Sequence, residues 1–262
     1  MHQVAFHLGP LPVHWYGVLV AVGFLGGLWT ASRRGLRAGL APEAILDAGP
    51  WLILGAIIGA RGLYVISYWR EKFADGPFTE IFMVQHGGLV FYGGLIGAIA
   101  GGLIYAFKNK LPVWKFADVL APSIALGYVP GRLGCLMNGC CFGRACELPW
   151  AIHFPKEHES HGAGLHPTQV YDALLNLALY LALAWLYRRK KFDGQVFAAY
   201  LICYAFTRSF VEYFRGDYNA AHRHAGFFTP AQLVSAGILA AGVALAVALR
   251  SRNTKHQTSN IK

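Results

Sequence analysis

Seven stretches of this 262-residue chain are predominantly apolar, and each is about as long as a bilayer-crossing helix. Such a helix needs about 20 apolar residues, because in lipid every backbone polar group must be satisfied within the helix. Hydrophobic residues make up 55% of the chain and charged residues 14%, against about 25% charged in a typical soluble domain. The sequence therefore predicts an all-α integral membrane protein and excludes a disordered chain or a simple soluble enzyme.

The predicted architecture has about seven transmembrane helices. They run over residues 15–32, 48–69, 87–107, 116–133, 168–187, 195–214 and 227–249. Asp118, Pro122 and Pro130 interrupt the fourth stretch, so the sequence signal for a span is weakest there. We expect one polytopic membrane domain over residues 1–262. A small extracytoplasmic head segment, residues 134–167, is expected between spans four and five.

Lys and Arg are unevenly distributed between the segments that join the spans. With the N-terminus outside, the inner segments hold fourteen of the 23 basic residues and the outer segments hold six. Because cytoplasmic loops carry the excess of Lys and Arg, this pattern predicts an outside N-terminus and a cytoplasmic C-terminus. Most of the net charge of +10 then lies in cytoplasmic segments, where it sets the topology and contacts anionic lipid headgroups. We therefore expect no nucleic-acid partner.

Glycines recur at four-residue spacing within three of the predicted spans. This spacing places them on one helix face, where they let neighbouring helices approach closely. We interpret these ladders as helix-packing surfaces: Gly23 and Gly27, Gly55 and Gly59, and Gly93, Gly97 and Gly101.

Three arginines lie within or at the ends of predicted spans, namely Arg61, Arg132 and Arg208. An arginine at the bilayer centre costs about 3 kcal/mol on insertion scales, and such residues usually face a partner or a cavity. For Arg61 a structural and a functional role are equally open. Arg132 follows Pro130 and Gly131, where a broken helix would expose backbone to a cavity, and we favour a functional role there.

The sixth predicted span carries a polar stripe. Tyr204, Arg208, Glu212 and Arg215 follow one another at spacings of four, four and three residues, so they share one helix face. Glu212 can neutralise Arg208 or Arg215, which leaves the strip net positive. Two arginines near the outer leaflet suit bidentate capture of a phosphate group.

The head segment is rich in cysteine and histidine. We expect structural disulfides ahead of free thiols, and either of these ahead of redox or metal chemistry, because the CxxC spacing is absent. The residues concerned are Cys135, Cys140, Cys141 and Cys146. The histidine spacing matches no metal signature, and we expect no metal; these residues are His153, His158, His161 and His166.

Residues 131–143, GRLGCLMNGCCFG, carry a resemblance to a known family. The run resembles the signature of the bacterial prolipoprotein diacylglyceryl transferases. Four further segments agree and lie in the family's order: residues 14–17, 93–97, 166–171 and 204–215. The resemblance extends from about residue 9 to residue 249. It implies a location in the bacterial cytoplasmic (inner) membrane.

The resemblance implies a transferase that acts in the first step of lipoprotein maturation. Such an enzyme moves the diacylglyceryl group of phosphatidylglycerol to the lipobox cysteine thiol of a prolipoprotein and releases glycerol phosphate. The implied partners are phosphatidylglycerol, prolipoprotein signal peptides with a lipobox cysteine, and the bilayer; no cofactor is needed in principle. By position, the implied catalytic residues are Tyr16, Arg132, Tyr204, Arg208 and Glu212. The implied phosphatidylglycerol-binding residues are Arg132, Asn138, Gly143 and Arg208.

The sequence departs from the family pattern at the general base. Many members carry His immediately before the Gly-Gly of the third span, where this chain has Tyr92. Cys135 and Cys140 also replace an Asn and a Glu of familiar members. The candidates for the base are His86, Tyr92, His166 and Glu212. Two other functions stay open: a membrane thiol oxidoreductase that uses the Cys135–Cys146 cluster, and a non-enzymatic phospholipid-binding protein.

Overall fold

The computed structural model describes residues 3–9, 11–74, 77–84, 87–216 and 229–259. Helices dominate these residues, and two short antiparallel hairpins accompany them. The hairpins pair β1 (Val4–Leu8) with β2 (Leu11–His14) and β3 (Ile152–His153) with β4 (Gly164–Leu165). The helices are α1 (Trp15–Arg37), α2 (Pro42–Leu46), α3 (Ala48–Ser67), α4 (Phe91–Lys108), α5 (Val113–Asn138), α6 (Thr168–Tyr187), α7 (Gln195–Phe214) and α8 (Pro230–Ser259).

Among the residues that the structure describes, six helical segments are long and apolar enough to cross a membrane. They are α1, α2 with α3 (Pro42–Ser67), α4, α5, α6 and the part of α8 up to Thr254. Helix α7 has the bounds predicted from the sequence, but Arg208 and Glu212 lower its hydropathy and it is not among the six. The first residues of the seventh predicted span, 227–228, lie outside the described residues. The all-α membrane class is confirmed, and the number of spans stays a prediction.

The chain divides into two compact units, residues 1–31 with 117–262, and residues 32–116. In the first unit, α5, α6 and α7 share a core of small and branched aliphatic side chains. It consists of Ala121, Ala125, Leu179, Leu183 and Val196. Helix α1 packs on α5 through glycine, since a Cβ on Gly127 would lie 3.0 Å from the Gly23 carbonyl oxygen.

Asp118 holds the beginning of α7 against α5. Its fully buried carboxylate accepts hydrogen bonds of 2.8–2.9 Å from the backbone N–H groups of Gly194, Val196 and Phe197. Lys190 Nζ donates to the same carboxylate at 2.9 Å. A helix N-terminus has unsatisfied N–H groups and favours negative charge, so Asp118 acts as a long-range cap.

The fourth predicted span is confirmed as a helix, and the break expected at Pro130 and Gly131 is absent. Helix α5 is continuous from Val113 to Asn138, with Pro122 and Pro130 inside it. Prolines are tolerated within membrane helices where neighbouring groups compensate for the lost hydrogen bond. The helix also runs past the predicted end at residue 133, so residues 134–138 of the predicted head segment are helical.

In the second unit, α3 and α4 approach closely through their glycines. A Cβ on Gly59 would lie 2.8 Å from Gly97 Cα, and one on Gly93 would lie 2.6 Å from Leu63 Cβ. No side chain fits these positions without a shift of the backbone. Together with Gly23, these contacts confirm the interpretation of the ladders as packing surfaces.

Arg61 has a structural role in the same unit. It is buried and donates four hydrogen bonds of 2.6–3.2 Å to backbone carbonyl oxygens of the segment that precedes α4. The acceptors are Glu80, Ile81, Gly87 and Gly88. Arg61 therefore closes the connection between α3 and α4.

Residues 139–167 form a small packed segment around β3 and β4. Phe142, Phe154 and Leu165 are its buried core. The His158 ring stacks on Phe154 at 4.5 Å, and its Nε2 lies 2.7 Å from the Gly139 carbonyl oxygen. His158 is therefore a packing residue of the head.

Candidate active site

Arg132 on α5 and Asp172 on α6 form a buried ion pair. Arg132 Nε lies 2.7 Å from Asp172 Oδ2, with the side chains 13% and 3% exposed. Arg132 Nη2 also donates to the Tyr128 hydroxyl, and the guanidinium carbon lies 4.8 Å from the Tyr128 ring centroid. The guanidinium plane is therefore fixed by a carboxylate and an aromatic ring.

The stripe predicted on α7 is present. Glu212 Oε2 lies 2.7 Å from Arg208 Nη1 and 3.8 Å from Arg215 Nη1, and the Glu212 side chain is fully buried. One carboxylate therefore bridges both arginines. The Glu212 Oε1 atom is buried and has no hydrogen-bond partner among the described residues.

Two tyrosines connect the α5 and α7 sides of the cluster. The rings of Tyr128 and Tyr204 meet edge to face, with centroids 6.4 Å apart. Asp172 pairs with Arg132 and also interacts electrostatically with Arg208 and Arg215. Three guanidinium groups and two carboxylates thus carry one net positive charge within helices of a membrane protein. This arginine cluster, Arg132, Asp172, Arg208, Glu212 and Arg215, suits an anion that has left water.

A cysteine cluster lies where α5 ends, next to the first turn of α6. The Sγ atoms of Cys135, Cys140 and Cys141 all lie within 4.8 Å of one another, which is close enough to hold one metal ion. Gln169 Nε2 donates to the Cys140 carbonyl at 2.8 Å, and Thr168 Oγ1 donates to the Cys141 carbonyl at 2.7 Å. Both donors belong to residues 166–171, one of the segments that resemble the family.

The ranking of disulfides ahead of free thiols is wrong for this structure, in which all five cysteines are free. The Cys140 thiol donates to the Cys135 carbonyl oxygen at 3.7 Å. Hydrogen bonds with the thiols of Cys135 and Cys140, together with the positive charges of Arg215 and Arg132, hold the pKa of Cys141 well below its usual value. The cluster therefore favours a thiolate at Cys141.

The other predicted site residues of the first unit surround these two clusters. Tyr16 is the second residue of α1, and a Cβ on Gly134 would lie 3.1 Å from Tyr16 Cδ2, so α1 approaches the end of α5 closely. Tyr16 also interacts electrostatically with the three clustered cysteines and with Arg132. Asn138 is the last residue of α5, and its side chain contacts Cys140.

Gly143 joins the head segment to α6 and α7. Its N–H donates to the His166 carbonyl at 3.0 Å, and it forms a bridge with Arg215. A Cβ there would lie 2.7 Å from the His166 carbonyl oxygen and 2.9 Å from that of Phe214. Glycine is therefore required at this position by the close approach of two backbones.

Of the candidate general bases, His166 and Glu212 belong to the first unit and Tyr92 to the second. His166 Nδ1 lies 3.3 Å from the Tyr171 hydroxyl, and the ring packs on Phe214. Tyr92 begins α4 in the second unit and is 46% exposed. His86 lies outside the described residues.

Two residues were not predicted from the sequence: Asp172 of the arginine cluster, and Tyr128, which contacts Arg132. Asp172 is an acidic residue inside the fifth predicted span, and that position alone marks it as a candidate. Tyr128 carries no comparable signal, because an aromatic residue in an apolar helix is ordinary.

The sequence of the chain is similar to those of known proteins. The profile of the family described as prolipoprotein diacylglyceryl transferase matches residues 3–248. Relatives named phosphatidylglycerol–prolipoprotein diacylglyceryl transferase include one from Geobacillus kaustophilus (strain HTA426), 36% identical, covering 96% of this chain and 94% of its own length. Another, from Synechococcus elongatus, is 36% identical over 90% of this chain and 83% of its own length. A third, from Bacillus cytotoxicus, is 38% identical over 83% and 82%.

The match extends over nearly the whole chain and includes α1, both clusters and α7. The chain belongs to the prolipoprotein diacylglyceryl transferase family.

Proposed function

We propose that this protein is a transferase that moves the diacylglyceryl group of phosphatidylglycerol to the lipobox cysteine thiol of prolipoproteins and releases glycerol phosphate. The observation that carries the proposal is the arginine cluster, in which buried Asp172 and Glu212 orient Arg132 and Arg208 inside membrane helices. The family match supports the same reaction.

Arg132 and Arg208 bind the phosphate of the lipid donor. Each guanidinium has one edge fixed by a carboxylate, which leaves other N–H groups for phosphate oxygens. Donors that are fixed in advance stabilise the charge that develops on a leaving group without reorganisation. The clamp therefore acts mainly in the transition state.

The transfer forms one bond and breaks another. The acceptor sulfur, as a thiolate, attacks the glyceryl carbon that carries the phosphate ester, and a thioether forms. The carbon–oxygen bond breaks, and its electron pair stays on the oxygen of the departing glycerol phosphate. The thiol proton must leave before or during the attack.

The remaining predicted residues have supporting roles in this proposal. Tyr16 and Asn138 lie beside the cysteine cluster and contact the substrates near the reacting carbon. Tyr204 packs against Tyr128 and closes the apolar side of the clamp. Gly143 holds the head segment against the end of α7, and Glu212 orients Arg208.

The family match supports the choice of membrane, and the distribution of Lys and Arg supports the orientation. We place the protein in the bacterial cytoplasmic membrane with its N-terminus outside and its C-terminus in the cytoplasm. The site then faces the outer leaflet, and phosphatidylglycerol reaches it from the bilayer.

An assay with purified components tests the proposal. The protein receives phosphatidylglycerol and a lipobox peptide, and peptide mass and glycerol phosphate are measured together. We expect both to rise one for one, with no product from a peptide whose cysteine is serine. If neither changes under conditions that support a known family member, the proposal fails.

A further inference from the structure

We propose that Cys135, Cys140 and Cys141 bind one Zn²⁺ ion whose fourth position takes the acceptor thiol as a thiolate. This inference rests on the proposed transferase function and supplies the step for which the chain has no assigned base. It starts from the geometry of the three sulfur atoms, all within 4.8 Å of one another beside the arginine cluster.

The donor set fits zinc. Thiolate ligands select Zn²⁺, Cu⁺ or iron–sulfur clusters, and catalytic zinc sites keep three protein ligands and one open position. With Zn–S bonds of about 2.3 Å, sulfur atoms around a tetrahedral zinc lie about 3.8 Å apart. The three Sγ atoms therefore need to move only slightly to bind the ion.

The backbone that carries Cys140 and Cys141 is held in an uncommon conformation. Cys141 has a φ of +62°, a left-handed conformation that L-residues other than Asn and Asp rarely adopt. Thr168 and Gln169 bind the carbonyl groups of Cys141 and Cys140, which leaves the sulfur atoms free to face one another. A strained cysteine that its surroundings hold in place is typical of a functional side chain.

Charge balance favours the site as well. Three thiolates and one Zn²⁺ carry one net negative charge, and the neighbouring arginine cluster carries one net positive charge. The guanidinium groups of Arg132 and Arg215 interact with Cys141, so they stabilise an anionic zinc–thiolate complex. The anionic zinc–thiolate complex and the cationic arginine cluster therefore attract each other.

The zinc ion would supply the nucleophile. The acceptor thiol releases its proton to water as its sulfur binds the fourth position, because a thiol that coordinates zinc is deprotonated. The thiolate then attacks the glyceryl carbon, the Zn–S bond is replaced by the new C–S bond, and glycerol phosphate leaves on the arginine side. No oxidant or reductant is needed.

Metal content of the full-length protein tests the site. The protein is purified in detergent under reducing conditions, loaded with Zn²⁺, freed of excess metal and analysed by mass spectrometry. We expect one zinc per chain. Cys135→Ser, Cys140→Ser and Cys141→Ser should each weaken zinc binding about 100-fold or more, since even losing a residue that supports a ligand costs about 10- to 100-fold. Cys146→Ser and Cys203→Ser are matched controls that keep one zinc.

A spectroscopic measurement covers the case in which a variant fails to fold. Co²⁺ replaces zinc in the unchanged protein, and the sulfur-to-cobalt charge-transfer absorption is recorded. We expect this absorption to increase when a lipobox peptide is added, and to stay constant with the serine version of the peptide. No change with the cysteine peptide would overturn the role of the fourth position.

The outcomes separate this inference from the proposed function. If zinc-free protein transfers diacylglyceryl at the same rate as zinc-loaded protein, the zinc inference fails and the transferase stands. If zinc binds in one-to-one ratio and the cobalt absorption responds to the peptide but no product forms, the transferase fails and the metal site stands. Binding of Cu⁺ without Zn²⁺, or a disulfide among the three cysteines in the reduced preparation, also overturns the zinc site.

Discussion

Arg132 Nε and Asp172 Oδ2 lie 2.7 Å apart and join α5 to α6 at the centre of the arginine cluster. The pair spans forty positions of the sequence, so no local pattern indicates it. It orients the arginine that we assign to the donor phosphate.

Replacing Asp172 by Asn should impair transfer without removing any group that touches the substrate. Arg132 loses its counter-charge and settles in another orientation, and a displacement of about 1 Å in a positioning group costs about 100-fold in rate. We expect kcat to fall by about 10- to 100-fold while thermal stability shows that the protein is folded. An unchanged kcat would contradict the positioning role of Asp172.

Replacing Glu212 by Gln should destabilise the protein. The change leaves Arg208 and Arg215 close together without the carboxylate between them, and breaking a buried ion pair costs about 3–5 kcal/mol. Thermal unfolding in detergent measures the effect. Glu147→Gln, at an exposed position of the head segment, is the matched control and should unfold like the unchanged protein.

Asp118→Asn should lower the stability of the protein and leave the rate of transfer by the folded protein unchanged. Asp118 caps α7 through three backbone N–H groups and pairs with Lys190, and hydrogen bonds to charged groups contribute about 1.5–3 kcal/mol each. Asp193→Asn removes the half-exposed partner of the same lysine and should have little effect. Equal melting temperatures for the two variants would contradict the capping role.

The packing of α3 on α4 predicts unequal effects of two identical substitutions. A Cβ on Gly97 would lie 2.9 Å from Gly59 Cα, so Gly97→Ala forces the helices apart, and overpacking costs about 1–3 kcal/mol. Gly62→Ala adds the same methyl group to α3 where nothing lies within 4 Å. Gly62→Ala should leave stability equal or slightly higher, and Gly97→Ala should lower it.

Much of the fold could be predicted from the sequence, because it depends on local patterns. The apolar stretches indicated the membrane class, and the bounds of α6 and α7 agree with the predicted spans. The capping box at the start of α8 is another local feature: Thr229 N–H donates to Gln232 Oε1 at 3.0 Å, and Gln232 N–H donates to Thr229 Oγ1 at 3.3 Å. Glu212 bridges two arginines on its own helix, as the four- and three-residue spacings indicated.

The remaining features depend on contacts between distant segments. The role of Arg61 depends on carbonyl groups about 20 to 27 residues away, and that of Asp172 depends on Arg132. The backbone of the cysteine cluster is held by Thr168 and Gln169, which lie 27 and 29 residues further along the chain from the carbonyl groups that they bind. Helix α5 continues through two prolines because tertiary packing compensates for them, which local propensity does not report.

The transfer rate of the Arg132→Ala and Arg208→Ala variants tests the central claim most directly. The formation of diacylglyceryl-modified lipobox peptide is measured with purified protein and phosphatidylglycerol, beside an unfolding measurement that confirms the helical bundle. If the two guanidinium groups bind the departing phosphate, both variants lose transfer by about 100-fold or more, as expected for the loss of a preorganised charge-stabilising donor. Near-normal rates in both variants would contradict the phosphate clamp.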